Sequence, residues 1–282
     1  MNKKISLCTI LERNPCQRLS RILILLNYCD FVNVSPKSNL AYENEYNIFK
    51  LLICQVKIIF VHNLQEQSIQ EFKHHVLNGS NHLGINVSEH QADLMVMHAK
   101  ELMAWNKKIN LTAIKDPLKI AEKHFIDSIA AVLFFKNETS LIDLGSGGGF
   151  PGIPIKIMNP SLRVVLIDAS RKKINFLKHV IRTLHLENID AVHSRVEDLH
   201  DHKAYKNKFD AVISRAFTKL SGFAEFAVPF LNNKGTIYAM KGKNAEKEIT
   251  SAISEKFDIK TDYYQLPFEK SDRYMIKLLL KS

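Results

Sequence analysis

The stretch LIDLGSGGGFPGIPIKI, residues 141–157, decides the fold. A short apolar run enters Gly145-Ser146-Gly147-Gly148-Gly149, and a helix-length segment with Pro151 and Pro154 follows. Glycine accepts left-handed backbone and lets a ligand approach the main chain closely. Such a turn between a strand and a helix can serve a dinucleotide, a triphosphate or a cofactor without phosphate. A glycine-rich turn built only for tight strand–helix packing is the structural alternative.

The P-loop pattern Gly-x-x-x-x-Gly-Lys-Ser/Thr has no match. The dinucleotide pattern needs a sixth-position glycine, and Phe150 stands there. Asp143, two residues before Gly145, completes Asp-x-Gly-x-Gly-x-Gly at the end of an expected strand. A carboxylate there can face an ammonium group, whereas it would repel a pyrophosphate. S-adenosyl-L-methionine carries an ammonium, a sulfonium and no phosphate, so the local charge favours it over NAD. Asp168 ends the next strand, 23 residues after Gly145. An acid in that place can accept both ribose hydroxyls, in a methyltransferase or a dehydrogenase.

Outward from this turn, strand-like runs alternate with helix-like stretches. The strands are expected at 140–144, 163–168, 209–214, 235–240 and 273–280, and the helices at 150–158, 170–186 and 218–230. Apolar strands with helical crossovers imply a mostly parallel sheet covered on both faces. Upstream, Ile69, Phe72, Val76 and Leu77 share a helical face, and Gly79 is read as its C-terminal stop. Ser88 and Gln91 form a capping box, and Asp116-Pro117 starts a third helix. The expected organisation is an atypical N-terminal extension (1–68), a helical subdomain (69–135) and a cofactor-binding domain (136–282). The extension is read either as weakly ordered or as the product of a start codon called too far upstream.

Composition is that of a globular protein, 46% hydrophobic and 24% charged, with a formal net charge of +10. A basic surface favours polyanions such as RNA, although solvated lysines produce similar totals. Cys8, Cys16, Cys29 and Cys54 show no C-x-x-C spacing, and the apolar runs are too short or interrupted for a spanning helix. These features point to a reducing, cytoplasmic compartment, with no membrane and no metal site expected.

Six collinear blocks then resemble one family: NKKINLTAI (106–114), HFIDS (124–128), DLGSGGGFPGIP (143–154), SRVED (194–198), FDAVISRAF (209–217) and MKGK (240–243). They resemble the RsmG/GidB family of bacterial 16S ribosomal RNA guanine-N7 methyltransferases, from about Ile69 to the C-terminus. Residues 1–68 lie outside the resemblance, and Gly148 stands where the family often has alanine or proline. The resemblance implies a class I, Rossmann-like methyltransferase with a seven-stranded, mostly parallel sheet and a small N-terminal helical subdomain. It implies methyl transfer to guanine-527 of 16S rRNA, with the RNA or the small ribosomal subunit as partner and no obligate protein partner.

The resemblance implies cofactor contacts from Gly145 and Phe150 in the turn, from Val196 and Glu197 beside the adenine, and from Arg215, and Gly147 of the turn and Asp168 as ribose acceptor complete the candidates. No catalytic residue is assigned, because guanine N7 has a lone pair and no proton to lose. Lys241 and Lys243 are candidates for RNA phosphate or for a plain solvated loop. Asn110 and His124 are candidates for substrate contact or for internal hydrogen bonds. Trp105 reads as core, and His74, His75, His200 and His202 read as solvated. Three alternatives stand beside the RNA methyltransferase. They are a methyltransferase with another RNA or small-molecule acceptor, an NAD-dependent dehydrogenase, and a non-catalytic RNA-binding assembly factor.

Overall fold

Five consecutive buried residues, Ser140–Leu144, can only be a strand covered on both sides, and they form β1 at the centre of the sheet. The computed structural model describes residues 66–281. Beside β1 lie β2 (Arg163–Asp168) and then β3 (Ile189–His193). On its other side follow β4 (Phe209–Arg215), β5 (Leu231–Lys241), β7 (Asp272–Leu280) and β6 (Phe257–Gln265). The order is therefore 3-2-1-4-5-7-6. The first five strands are parallel, and β7 enters antiparallel between β5 and β6. Strand order reverses between β1 and β4, so the crevice for a ligand opens at their carboxyl ends.

Alternation along β1 divides the core. Leu141 packs on one face with Phe72, Met95, Leu102, Phe125 and Phe176. Ile142 and Leu144 pack on the other with Phe223, Phe230 and Ile253. The first face carries α1 (residues 66–82), α2 (Glu89–Asn106), α5 (Gly152–Met158) and α6 (Arg171–Thr183). It also carries one continuous helical run. That run starts as α3 (Pro117–Ile120), widens into a π-turn (Ala121–Ile126), returns as α4 (Asp127–Ile129) and tightens into a 3-10 stretch (Ala130–Phe134). The opposite face carries α7 (Leu220–Ala227) and α8 (Ser251–Lys256).

Strands β1 and β2 fall where the sequence places them, and both helix starts are confirmed. The Ser88–Gln91 capping box is reciprocal, and Asp116 caps α3 through the Lys119 amide with Pro117 in the first turn. Gly79 is a correction. It lies inside α1 and is buried, and a Cβ there would meet Ile126 Cδ1 at 2.3 Å. The helix stops at Gly84, whose φ is +73°, with Ile85 N–H donating back to Ser80 O. Two strands, β3 and β6, are absent from the sequence reading. Both are edges, and their exposed faces carry polar residues that break the apolar run. The expectations for residues 1–65 lie outside the described residues.

The π-turn also fastens the far end of the sheet. Glu122, 2% exposed, accepts from the Phe268 and Glu269 amides at 2.8 and 2.9 Å, in the turn between β6 and β7. Lys123 pairs with Glu269 at 2.8 Å. Replacing Glu122 with alanine leaves two amides without an acceptor. Urea unfolding of Glu122→Ala is expected to show a loss of about 1–3 kcal/mol. Glu122→Gln retains an acceptor oxygen and should lose less than half of that; equal losses would contradict the assignment.

Candidate active site

The ends of β1 and β2 lie side by side, with Leu144 opposite Ile167, and the chain from Gly145 to Pro151 folds over them. Gly145, Gly147 and Gly149 have φ of 76°, 56° and 91°, the left-handed region that favours glycine. The Phe150–Pro151 peptide bond is cis. The amides of this segment donate inward. Gly145 and Ser146 both donate to Ile167 O (2.9 and 3.0 Å), and Gly149 and Phe150 to Ser146 O (2.7 and 2.9 Å). Gly147 donates to Asp168 Oδ2 (3.1 Å) and Gly152 to Asp143 Oδ2 (3.0 Å).

Asp143 therefore holds the turn from behind. It is fully buried and does not line the cavity, which corrects the expectation that its carboxylate faces a bound ammonium. Burial pushes its pKa up to about 7, against the opposing pull of the Gly152 amide, so at neutral pH it is no fixed negative charge. Its Oδ1 has no hydrogen-bond partner. Glycine fits closely at 152: a Cβ there would crowd Leu166 Cδ2 and Asp143 Oδ2, so both side chains would have to move to admit any other residue.

In front of the turn lies a cavity of about 490 Å³, bounded by the π-turn and the ends of β4 and β5. Gly145, Gly147, Phe150 and Arg215 all line it. The Phe150 ring is stacked between two imidazoles. His98 lies at 4.9 Å and 15°, His124 at 4.8 Å and 22°, and Phe125 meets the edge at 5.1 Å. Arg215 reaches across from β4, its Cζ 5.3 Å from the same ring centroid. It donates to Lys123 O (2.6 Å), Asp127 Oδ2 (3.3 Å) and His124 Nδ1 (3.1 Å).

A guanidinium only donates, so His124 Nδ1 must accept, and the ring proton sits on Nε2, which donates to Thr112 Oγ1 at 2.7 Å. Burial, reinforced by the Arg215 charge, holds His124 down to about 3. It is a neutral, doubly engaged imidazole. Asp127, 3% exposed, accepts on Oδ1 from Tyr264 Oη (2.9 Å) and forms an ion pair there with Arg273 Nε (3.3 Å). One buried carboxylate thus bridges two guanidiniums, the arrangement a buried charge requires.

Asp168 does not line this cavity either; it is joined to the turn through Gly147 N–H (3.1 Å), to α6 through Ser170 N–H (2.8 Å) and to Lys173 at 3.7 Å. Val196 and Glu197 do not line this cavity. Val196 is buried in the core of the opposite face and Glu197 is exposed, although Ser194 N–H reaches Asp168 O at 3.4 Å and brings their segment alongside. Lys241 lines the cavity but is engaged with Thr218 O and Glu248, while Lys243 is exposed. Trp105 packs on Phe176, as expected of core. His75 stacks on Phe268 at 3.8 Å and His200 meets Phe230 at 5.5 Å, so neither is the solvated histidine expected.

Two residues escape the sequence reading. His98 is fully buried, and its Nε2 donates to Gly148 O at 2.8 Å, tying α2 to the turn. Its signal was present: it falls between Met95 and Leu102 on the apolar face of α2. Asp127 lay inside a quoted block without a role of its own.

A 3-2-1-4-5-7-6 sheet, a glycine turn after its central strand and an acid ending the next define a class I, Rossmann-like methyltransferase. The GidB family, described as rRNA small subunit methyltransferase G, matches residues 91–274. The chain is 39% identical over 206 residues to Ribosomal RNA small subunit methyltransferase G of Geotalea uraniireducens, covering 71% of this chain and 93% of that one. It is 42% identical over 190 residues to the protein of that name from Geobacter sp. strain M21, covering 67% and 86%. Among solved structures, a SAM dependent methyltransferase from Aquifex aeolicus is similar, at 16% identity and a TM-score of 0.44, covering 61% of this chain and all of that one. The chain belongs to the rRNA small subunit methyltransferase G family.

S-adenosyl-L-methionine is the cofactor of this class, and the residues fit it. A Cβ on Gly147 would meet only Gly145 O, at 3.9 Å, so the main chain there lies open to a ligand. Asp168 retains acceptor capacity beyond its two amide bonds. Among the described residues no cluster suits a metal ion, and no helix is long and apolar enough to cross a membrane.

His98 also makes the clamp measurable. Burial lowers its pKa to about 4 from 6.5, so between these values the unfolded chain binds a proton that the folded chain refuses. Stability contributed here is present above pH 6.5 and is lost as pH falls toward 4. His98→Gln keeps a donor for Gly148 O and removes the titration. Its unfolding free energy should depend less steeply on pH in this window, by about 1.4 kcal/mol per unit. Parallel pH profiles for the two proteins would contradict a neutral buried imidazole.

Proposed function

We propose that this chain transfers a methyl group from S-adenosyl-L-methionine to N7 of a guanine in 16S rRNA, at the guanine-527 site. The observation that carries the reading is the inward direction of the turn's amides. Phosphate-cradling turns aim free N–H groups at the ligand. Here six of the seven amides between residues 145 and 152, all but that of Gly148, donate within the protein, which favours a cofactor without phosphate and disfavours NAD.

Gly145, Gly147, Phe150, Asp168, Val196, Glu197 and Arg215 are the residues proposed to hold the cofactor. Gly147 offers bare main chain, Gly145 gives the turn its left-handed entry, and Asp168 offers a ribose acceptor. Val196 and Glu197 contribute from the segment beside Asp168. When bound, the cofactor supplies an electrophilic methyl group on a sulfonium. Guanine N7 presents a lone pair and loses no proton, so no general base is needed, and neutral His124 with both nitrogens engaged suits that requirement. The protein's work is alignment, to reacting distances of about 3–3.5 Å, together with a preorganised field. Arg215 and Arg273, anchored by Asp127, and Lys123 give the cavity its cationic wall for an RNA acceptor. The partner is 16S rRNA or the small subunit, and the site of action is the cytoplasm.

Gly145→Val would place a branched side chain at φ +76° and against the Phe217 ring, 2.5 Å from the Cβ position. Titration calorimetry should show cofactor affinity reduced at least tenfold, about 1.4 kcal/mol, with the unfolding transition retained; unchanged affinity would move the cofactor elsewhere. Mass-spectrometric mapping of small-subunit RNA, incubated with cofactor and with or without the protein, should show one new 7-methylguanosine. Methylation at another atom, or of no ribosomal RNA, would overturn the proposed acceptor.

A further inference from the structure

A second cavity opens beside the first, with a volume of about 820 Å³. It lies between the C-terminal end of α2 and the loop at 107–116, and it shares Leu111 and Ile114 with the central cavity. The opening is built rather than loose. Asn106 accepts from the Leu111 and Thr112 amides (2.8 and 3.0 Å) and donates to Thr112 O (2.9 Å), which draws the loop into an arch. Thr112 Oγ1 then accepts from Ile114 N–H (3.0 Å) and from His124, fastening the arch to the wall of the central cavity.

The lining is of two kinds. Met103, Leu111, Ile114 and Ile120 make an apolar surface, and Lys107 and Lys115 supply charge. No carboxylate lines it. Lys107 and Lys115 make no ion pair among the described residues, in contrast to Lys123 and Lys241 of the central cavity. The lining has no aromatic stacking platform; its aliphatic side chains offer apolar contact to a base face, and its unpaired lysines offer charge to the flanking phosphates. The shared residues place this chemistry one side chain away from the cavity assigned to the acceptor.

We propose that the second cavity receives a nucleotide adjacent, in the same RNA strand, to the guanine being methylated. The inference rests on the RNA acceptor of the preceding section and adds a subsite that reads the neighbouring nucleotide. Ala113 lines the second cavity and not the first, so Ala113→Trp fills the subsite selectively.

The test is steady-state methylation by the full chain. The substrates are small-subunit RNA of natural sequence and RNA carrying an abasic residue immediately 5′ or 3′ of the target guanine. With the native protein, one of the two abasic substitutions should raise KM about tenfold, the size of losing one base contact. In Ala113→Trp, KM for natural RNA should already be raised about tenfold, and the same abasic substitution should add less than about twofold, because both changes remove one interaction. A Lys107→Glu, Lys115→Glu double variant should raise KM as well and flatten its salt dependence. Cofactor affinity by calorimetry should match the native protein in both variants. Independent, multiplying effects of the abasic residue and Ala113→Trp would overturn the subsite, as would native kinetics insensitive to both abasic positions. Impairment of Ala113→Trp only on protein-containing particles would also overturn it, by assigning the cavity to a protein segment. If the native protein methylates no ribosomal RNA, the acceptor assignment itself falls with it.

Discussion

The whole site depends on one steric constraint, the contact between the main chain at Gly152 and the β1–β2 floor. Leu166 and Asp143 would crowd any side chain there, and the Gly152 amide is seated on a carboxylate with no exposure to water. Seated that closely, the chain between residues 145 and 151 must reverse within a few residues, and three left-handed glycines permit it. The reversal turns the amides inward and leaves the Gly147 main chain open to the cavity. The turn's shape follows from packing beneath it rather than from a charge displayed at its tip.

Phe150 carries that constraint to the rest of the molecule. Its ring is held between His98 from α2 and His124 from the π-turn, so the helical layer and the sheet meet on one aromatic side chain. Both imidazoles are neutral because burial disfavours their charged forms. Arg215 completes the arrangement from β4, and Asp127 aligns it with Arg273 and Tyr264.

Much of this was legible in the sequence, for reasons that differ by element. The central strands β1 and β2 read to the residue, because strands buried on both faces are continuous apolar runs. The edge strands β3 and β6 did not, because water on one side removes that signature. Gly79 was misread as a helix stop, since a glycine required by a neighbouring side chain looks identical to one required by φ. Gly145, Gly147, Phe150 and Arg215, legible from their motifs, share one cavity, whereas Asp168, Val196 and Glu197 do not line it and are linked to the turn through the Gly147–Asp168 bond and the Ser194–Asp168 backbone bond. The phosphate-free cofactor was inferred from Asp143 as a displayed charge. A phosphate-free cofactor is favoured instead by the internal engagement of all but one of the turn's amides, which depends on φ values and partners that spacing does not encode. His98 escaped notice because its partner, Gly148 O, is 50 residues away.

The most direct test of the glycine turn as a cofactor cradle is a crystal structure with S-adenosylhomocysteine. Ligand density is expected along the Gly145–Gly147 main chain, with ribose hydroxyls on the Asp168 carboxylate. Density for the ligand elsewhere on the protein, with this turn bare, would contradict it.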